Sequence, residues 1–277
     1  LQGSQRRPLG LHKLRFDVIN CDHKNVQEII SVNHTHHDPF SLMNKTVLIT
    51  GAGGGIGSQT AKTCAALGAK LILADLKEPV SLATELSDNG TSCLAVGFDV
   101  RDRSATEALI EQVGVPDGVV INAGFCPWDD WQEENWDDVF DTVIDVNVKS
   151  VIHLTRAVLP GMTARGSGKI VILSSLAARS GGLRASPHYI AAKGGVSAMV
   201  KWFARKAAPS GVTVNAICPG ATETAMTHGQ PFDVDSIPMK RMATAREIAL
   251  PVAFLLGDGS NYMTGATLDV NGGVYMG

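Results

Sequence analysis

From Lys45 onward, short apolar runs alternate with longer stretches in which apolar residues recur every three to four positions. Residues 47–49, 71–73, 94–96, 119–121, 170–173, 212–217 and 267–270 have strand length and predict seven strands. Between them, residues 56–67, 80–86, 104–113, 136–158, 187–207 and 245–256 carry helical periodicity. Strands apolar at nearly every position, each followed by a helix, imply a parallel sheet covered on both faces. The expected architecture is therefore α/β, a doubly wound seven-stranded parallel sheet forming a single domain over residues 43–277.

Residues 1–42 follow no such pattern. Gln2, Arg6, Arg7, Pro8, Asn20, Asp22, His23 and Lys24 interrupt any apolar period, which predicts a poorly ordered N-terminal extension with at most a short helix over 26–32. His34, His36 and His37 lack the cysteine or carboxylate spacing of a closed metal site, so no metal is expected. Met43 is a candidate natural start, although Phe40 and Leu42 already suit a packed surface.

Composition narrows the classes of function. The 277 residues carry a formal charge of −3 and no basic block, which disfavours binding nucleic acid through its phosphates. Five scattered cysteines without a C-x-x-C pair argue against a disulfide framework and for a reducing, cytoplasmic setting. No apolar stretch has the length of a membrane span.

Candidate chemistry begins directly after the first strand, at Thr50-Gly51-Ala52-Gly53-Gly54-Gly55-Ile56-Gly57. Between a strand and a helix, such glycines permit a tight turn, close approach of a pyrophosphate and tight helix–sheet packing. Gly51, Gly55, Ile56 and Gly57 are thus the expected phosphate cradle of a dinucleotide. Asp75 ends the second strand, where a carboxylate accepts hydrogen bonds from ribose hydroxyls and repels a 2′-phosphate. With no Arg or Lys in the glycine loop, NAD is favoured over NADP; a turn or capping role for Asp75 is the alternative.

Tyr189 and Lys193 lie one helical turn apart on the stretch opened by Ser186-Pro187, a fitting N-cap and first-turn pair. A neighbouring ammonium favours phenolate, which makes the tyrosine an acid/base candidate. Ser174-Ser175 end the fifth strand, facing the crevice where ligands of open α/β sheets bind. Asn147 falls on the apolar face of its helix, four residues from both Val143 and Val151, so its amide must hold a water or a backbone carbonyl.

Taken together, these residues resemble the short-chain dehydrogenase/reductase family over residues 43–277: the glycine loop, Asp99-Val100, Asn122-Ala123-Gly124, Asn147, Ser175, Tyr189, Lys193, and Pro219-Gly220 followed by Thr224. The resemblance implies a Rossmann fold with Asp99 and Val100 at adenine, and Asn122, Ala123 and Gly124 supporting the adenosine end. Pro219 and Gly220 would line the cofactor, and Thr222 or Thr224 would meet the nicotinamide carboxamide. It further implies Tyr189 as acid/base, Ser175 orienting the substrate oxygen, Lys193 holding the nicotinamide ribose, Asn147 holding a proton-relay water, and a homotetramer. Ile121 and Asn271 depart from the usual family residues, and Ser174 stays a rival to Ser175.

Specificity is expected from residues 125–128, 177–188 and 225–236, above the strand ends. Trp128, Arg184 and His188 join Ser175 as substrate candidates. The stretch at 125–128 resembles that of some bacterial aldose 1-dehydrogenases of the family. The expected activity is NAD-dependent hydride transfer at a sugar or other polar secondary alcohol; a 3-oxoacyl-thioester or general ketone reductase, and a catalytically silent nucleotide-sensing scaffold, are the alternatives.

Overall fold

A computed structural model describes residues 38–182 and 184–277. The histidine cluster and the short helix expected at 26–32 lie outside those residues, as does most of the 1–42 extension. Residues 38–42 pack on the domain: Leu42 is fully buried, and the Phe40 ring lies 5.9 Å from that of Phe254.

Seven parallel strands form one sheet: β1 (Thr46–Thr50), β2 (Lys70–Asp75), β3 (Cys93–Gly97), β4 (Gly118–Ile121), β5 (Gly168–Leu173), β6 (Val212–Pro219) and β9 (Thr267–Val270). Their spatial order is β3-β2-β1-β4-β5-β6-β9. Order reverses between β1 and β4, so the chain leaves those neighbouring strands toward opposite faces and opens a crevice at their C-terminal ends.

Strand side chains alternate between two cores. Val47, Ile49, Leu71, Leu73, Val120 and Val171 face α1 (Gly55–Ala66) and α8 (Ala245–Leu256). Leu48, Ile72, Val119, Ile121, Ile170 and Ile172 face α3 (Arg103–Val113), α5 (Ser150–Arg165) and α7 (Pro187–Ala207). Helix α2 (Val80–Asp88) adds Leu82 and Leu86 to the first core, and the short α6 (Ala177–Ser180) follows β5.

Two features depart from the sequence pattern. The helix expected over 136–158 is divided: α4 (Trp136–Ile144) passes through a π-helical turn at Asp145–Lys149 before α5 begins. That turn contains Asn147, whose side chain competes for a main-chain carbonyl. The second is a small parallel pair, β7 (Thr222–Glu223) with β8 (Ala243–Thr244), which closes the base of the 225–236 segment.

Candidate active site

The glycine loop joins β1 to α1, with Gly51 and Gly55 at φ of +64° and +51°, the left-handed region that glycine tolerates. At Gly57 a Cβ would overlap the Gly51 carbonyl oxygen and come within 2.6 Å of Asn122 Nδ2, so bare backbone is required there. Helix α1 starts with no side-chain cap and no acidic residue in its first turn. Its free N–H groups and positive end make an anion cradle beside Ile56.

Asn122 clamps this loop to β4. Its amide donates to the carbonyls of Thr50 and Gly51 at 3.0 Å each, while Thr50 Oγ1 accepts from the N–H groups of Asn122 and Ala123. Thr50 therefore carries a structural duty that its place in the motif did not disclose. Gly124 leaves room for Asn147 and Lys193; a Cβ there would stand 3.1 Å from Asn147 Oδ1.

Asp75 ends β2 with Oδ2 accepting from the Gly53 N–H at 2.8 Å and Oδ1 from Leu76 N–H at 2.7 Å. Its carboxylate thus borders the glycine loop. Asp99 and Val100 follow β3 next door, where Phe98 N–H donates to Asp75 O. The Arg101 guanidinium, 2.6 Å from Asp99 Oδ2, holds the Asp99 carboxyl below the usual range.

On the far side of the crevice, Leu176 N–H donates to Pro219 O, and Gly220 N–H donates to Val270 O. Thr222 is buried with its hydroxyl donating to Gly220 O, and Thr227 Oγ1 ties the turn by donating to Thr222 O at 2.6 Å. The turn reaches the glycine loop, since a Cβ on Gly55 would lie 3.2 Å from Thr224 Cγ2. Asn271 braces the same edge by accepting from Gly273 and Tyr275 N–H groups, a role its amide fills as well as a carboxylate.

Between these walls stand Tyr189, Ser175 and Lys193. Lys193 Nζ donates to Leu173 O at 2.9 Å and sits 5.8 Å from the Tyr189 ring centre. Burial pushes the Lys193 ammonium down to about 8, against the pull of the nearby Cys126 and Cys218 thiols. Burial also raises the Tyr189 phenol far above its ordinary value; Cys126 adds to the rise and a hydrogen bond with Ser175 opposes it. The lowering expected from the neighbouring Lys193 ammonium is thus outweighed by burial, and the phenol stays protonated at neutral pH beside the Ser175 hydroxyl.

The two serines separate by role. Ser174 is buried, with its hydroxyl donating to Lys193 O and bonded to Ser197 Oγ, so it fastens α7 to the sheet. Ser175 is half-buried next to Tyr189. Asn147 donates to Phe125 O at 2.8 Å and to Val143 O at 2.9 Å while Oδ1 accepts from Phe125 N–H. Its amide thus holds backbone carbonyls, as expected for a polar group on that apolar face.

Among the substrate candidates, Trp128 is half-buried, its indole N–H donating to Met226 O at 2.9 Å and its ring edge-on to Phe232. Arg184 is exposed. His188 is not open to the crevice: it is buried, stacked on Trp136 and bonded to Asp129, because its position one residue before Tyr189 turns the ring back under the loop after β4. Ser186 occupies the N-cap position of α7, yet its hydroxyl donates to Asp129 O and accepts from no helix N–H. Asp129 and Trp136 gave no signal in the sequence beyond their neighbours. Among the described residues no cluster of His, Cys, Asp or Glu is arranged to hold a metal ion.

A family model described as enoyl-(acyl carrier protein) reductase matches residues 51–275, which include the glycine loop, Asn147, Ser175, Tyr189 and Lys193. The chain belongs to the short-chain dehydrogenase/reductase family. Oxidoreductase UcpA of Escherichia coli K12 is 40% identical over 253 residues, covering 84% of this chain and 95% of that protein. The crystal structure of a candidate NAD(P)-dependent gluconate 5-dehydrogenase from Beutenbergia cavernae, with bound NADP, superposes with a TM-score of 0.81 at 32% identity, over 85% of this chain and 98% of that one. A 3-oxoacyl-[acyl-carrier protein] reductase from Brucella melitensis with bound NAD superposes at 0.80 and 32% identity, over 86% and 94%. The chain is thus an oxidoreductase of this family.

Proposed function

We propose that this oxidoreductase uses NAD to interconvert a secondary alcohol and its ketone, the alcohol being a sugar or another polar hydroxy compound. The observation that carries the reading is the convergence of Tyr189, Ser175 and Lys193 at the sheet's C-terminal edge, beside a glycine loop bordered by a carboxylate. Gly51, Gly55, Ile56 and Gly57 would hold the pyrophosphate, and Asp75 the adenosine ribose, where it disfavours a 2′-phosphate. Asp99, Val100, Asn122, Ala123 and Gly124 would flank the adenosine end, with Pro219 and Gly220 lining the cofactor and Thr222 or Thr224 at the carboxamide.

The nicotinamide supplies the hydride acceptor or donor. Ser175 would donate a hydrogen bond that fixes the substrate oxygen. Tyr189 would pass its phenolic proton to that oxygen in reduction and take one back in oxidation. Lys193 would stabilise the phenolate by its charge and hold the nicotinamide ribose, while Asn147 locks the loop at Phe125 and would orient a proton-relay water.

A 3-oxoacyl-thioester reductase is the second reading, favoured by exposed Phe125 next to Asn147 and exposed Met226 bonded to Trp128 and by the Brucella relative. Helices α5 and α7, which leave Ile152 and Trp202 exposed, are the faces through which we infer a homotetramer. The test follows NADH and NADPH absorbance with aldoses, polyols, hydroxy acids and 3-oxoacyl thioesters, beside Tyr189→Phe. Turnover of a polyol or sugar with NAD, lost in Tyr189→Phe, supports the first reading; preference for NADPH and thioesters selects the second.

A further inference from the structure

The segment after β4 meets the start of α7 at Asp129. Its Oδ2 lies 2.9 Å from His188 Nε2, and its carbonyl accepts from Ser186 Oγ at 2.6 Å. On the other side of the imidazole, Nδ1 accepts from the Tyr189 N–H at 2.7 Å. An acceptor at Nδ1 places the ring proton on Nε2, which therefore donates to the carboxylate. The ring is held flat against Trp136, with centres 5.2 Å apart and planes 6° apart, and Phe140 closes another side at 6.4 Å.

His188 occupies the second position of α7, and the Tyr189 N–H is shared between its imidazole at 2.7 Å and Ser186 O at 3.1 Å, so the ring adds a side-chain acceptor at the helix start. Tyr189 is consequently tied to the β4 loop through a chain of oriented bonds: carboxylate, imidazole, main-chain N–H. We propose that Asp129 and His188 are a positioning pair that sets the Tyr189 phenol against Ser175 and Lys193. The inference rests on the reading of Tyr189 as the proton carrier.

Two details separate such a role from simple packing. Asp129 Oδ1 and Trp136 Nε1 are buried and lack hydrogen-bond partners among the described residues, which is costly for a contact kept only for stability. An apolar pair would fill the same space, but it would not fix a ring in one tautomer and one direction.

The experiment compares His188→Leu, Asp129→Leu, the double variant and the conservative Asp129→Asn in the full chain. Tyrosines are replaced by 3-fluorotyrosine; the protein has three, Tyr189, Tyr262 and Tyr275, and Tyr189→Phe assigns the signal. In both leucine variants the Tyr189 fluorine resonance should move while the other two stay, and Asp129→Asn should return it most of the way. With the substrate found for the wild type, kcat should fall about 10-fold to 100-fold, while KM and the NAD dissociation constant change less than about twofold. The double variant should be no worse than either single one.

Unchanged fluorine shift and kcat in a folded leucine variant, or losses that multiply in the double variant, would overturn the pairing. Where a leucine variant does not fold, Asp129→Ala, which removes the carboxylate without adding bulk, decides: movement of the Tyr189 resonance alone supports the pair, and none refutes it. If the wild type reduces or oxidises nothing, the functional reading fails, and the fluorine spectra still decide the pairing on their own.

Discussion

Replacing Lys193 with methionine should stabilise the protein while abolishing turnover. The ammonium is enclosed, and burial lowers it from its usual 10.5 to about 8. A shift of that size makes the charged form about 3 kcal/mol less favourable in the folded chain than in the unfolded one near pH 7. Methionine matches the unbranched stem but loses the bond to Leu173 O, a loss of about 1 kcal/mol. The balance of about 2 kcal/mol corresponds to a rise of roughly 4 to 8 °C in Tm for a chain of this size.

The pH dependence has a definite sign. Between pH 8 and 10.5 the unfolded state binds more protons at this residue than the folded state, so the wild type gains stability as pH rises through that window. The gap between Lys193→Met and the wild type should therefore be widest near pH 7 and close toward pH 10.5. Calorimetry or urea unfolding at several pH values measures it, and effects of other groups cancel in the difference. A methionine variant less stable than the wild type at pH 7, or a gap independent of pH, would refute the reasoning.

Three further outcomes follow from the geometry. Asp75→Ala removes the carboxylate beside the glycine loop and should improve NADP relative to NAD by more than about tenfold in dissociation constants, measured by quenching of protein fluorescence. Asn147→Leu leaves Phe125 O and Val143 O without their donor and should cost about 1–3 kcal/mol in urea unfolding, with turnover falling as well. Trp128→Phe removes the bond to Met226 O but keeps an aromatic edge against Phe232; steady-state kinetics should show a raised KM with kcat changed less than about twofold.

What the sequence determined on its own was periodic or local. Seven apolar runs separated by helical periods define a parallel sheet because buried strands and covering helices each repeat on a fixed spacing. The glycine loop was legible because steric demands at Gly51, Gly55 and Gly57 admit no side chain, and the Tyr189–Lys193 pair because one helical turn brings those positions together. Tertiary structure alone decided the rest. Ser174 and Ser175 are neighbours of the same type, and only the packing of α7 sends one to Ser197 and leaves the other beside Tyr189. His188 read as a residue facing substrate until the loop after β4 supplied Asp129 and the start of α4 supplied Trp136, each over fifty positions away. Helical periodicity carried straight through Asn147, whose side chain instead takes the Val143 carbonyl and widens the helix. In each case the deciding energy is the burial of a polar group, which depends on the partner that a distant segment brings to it and so leaves no trace in local spacing.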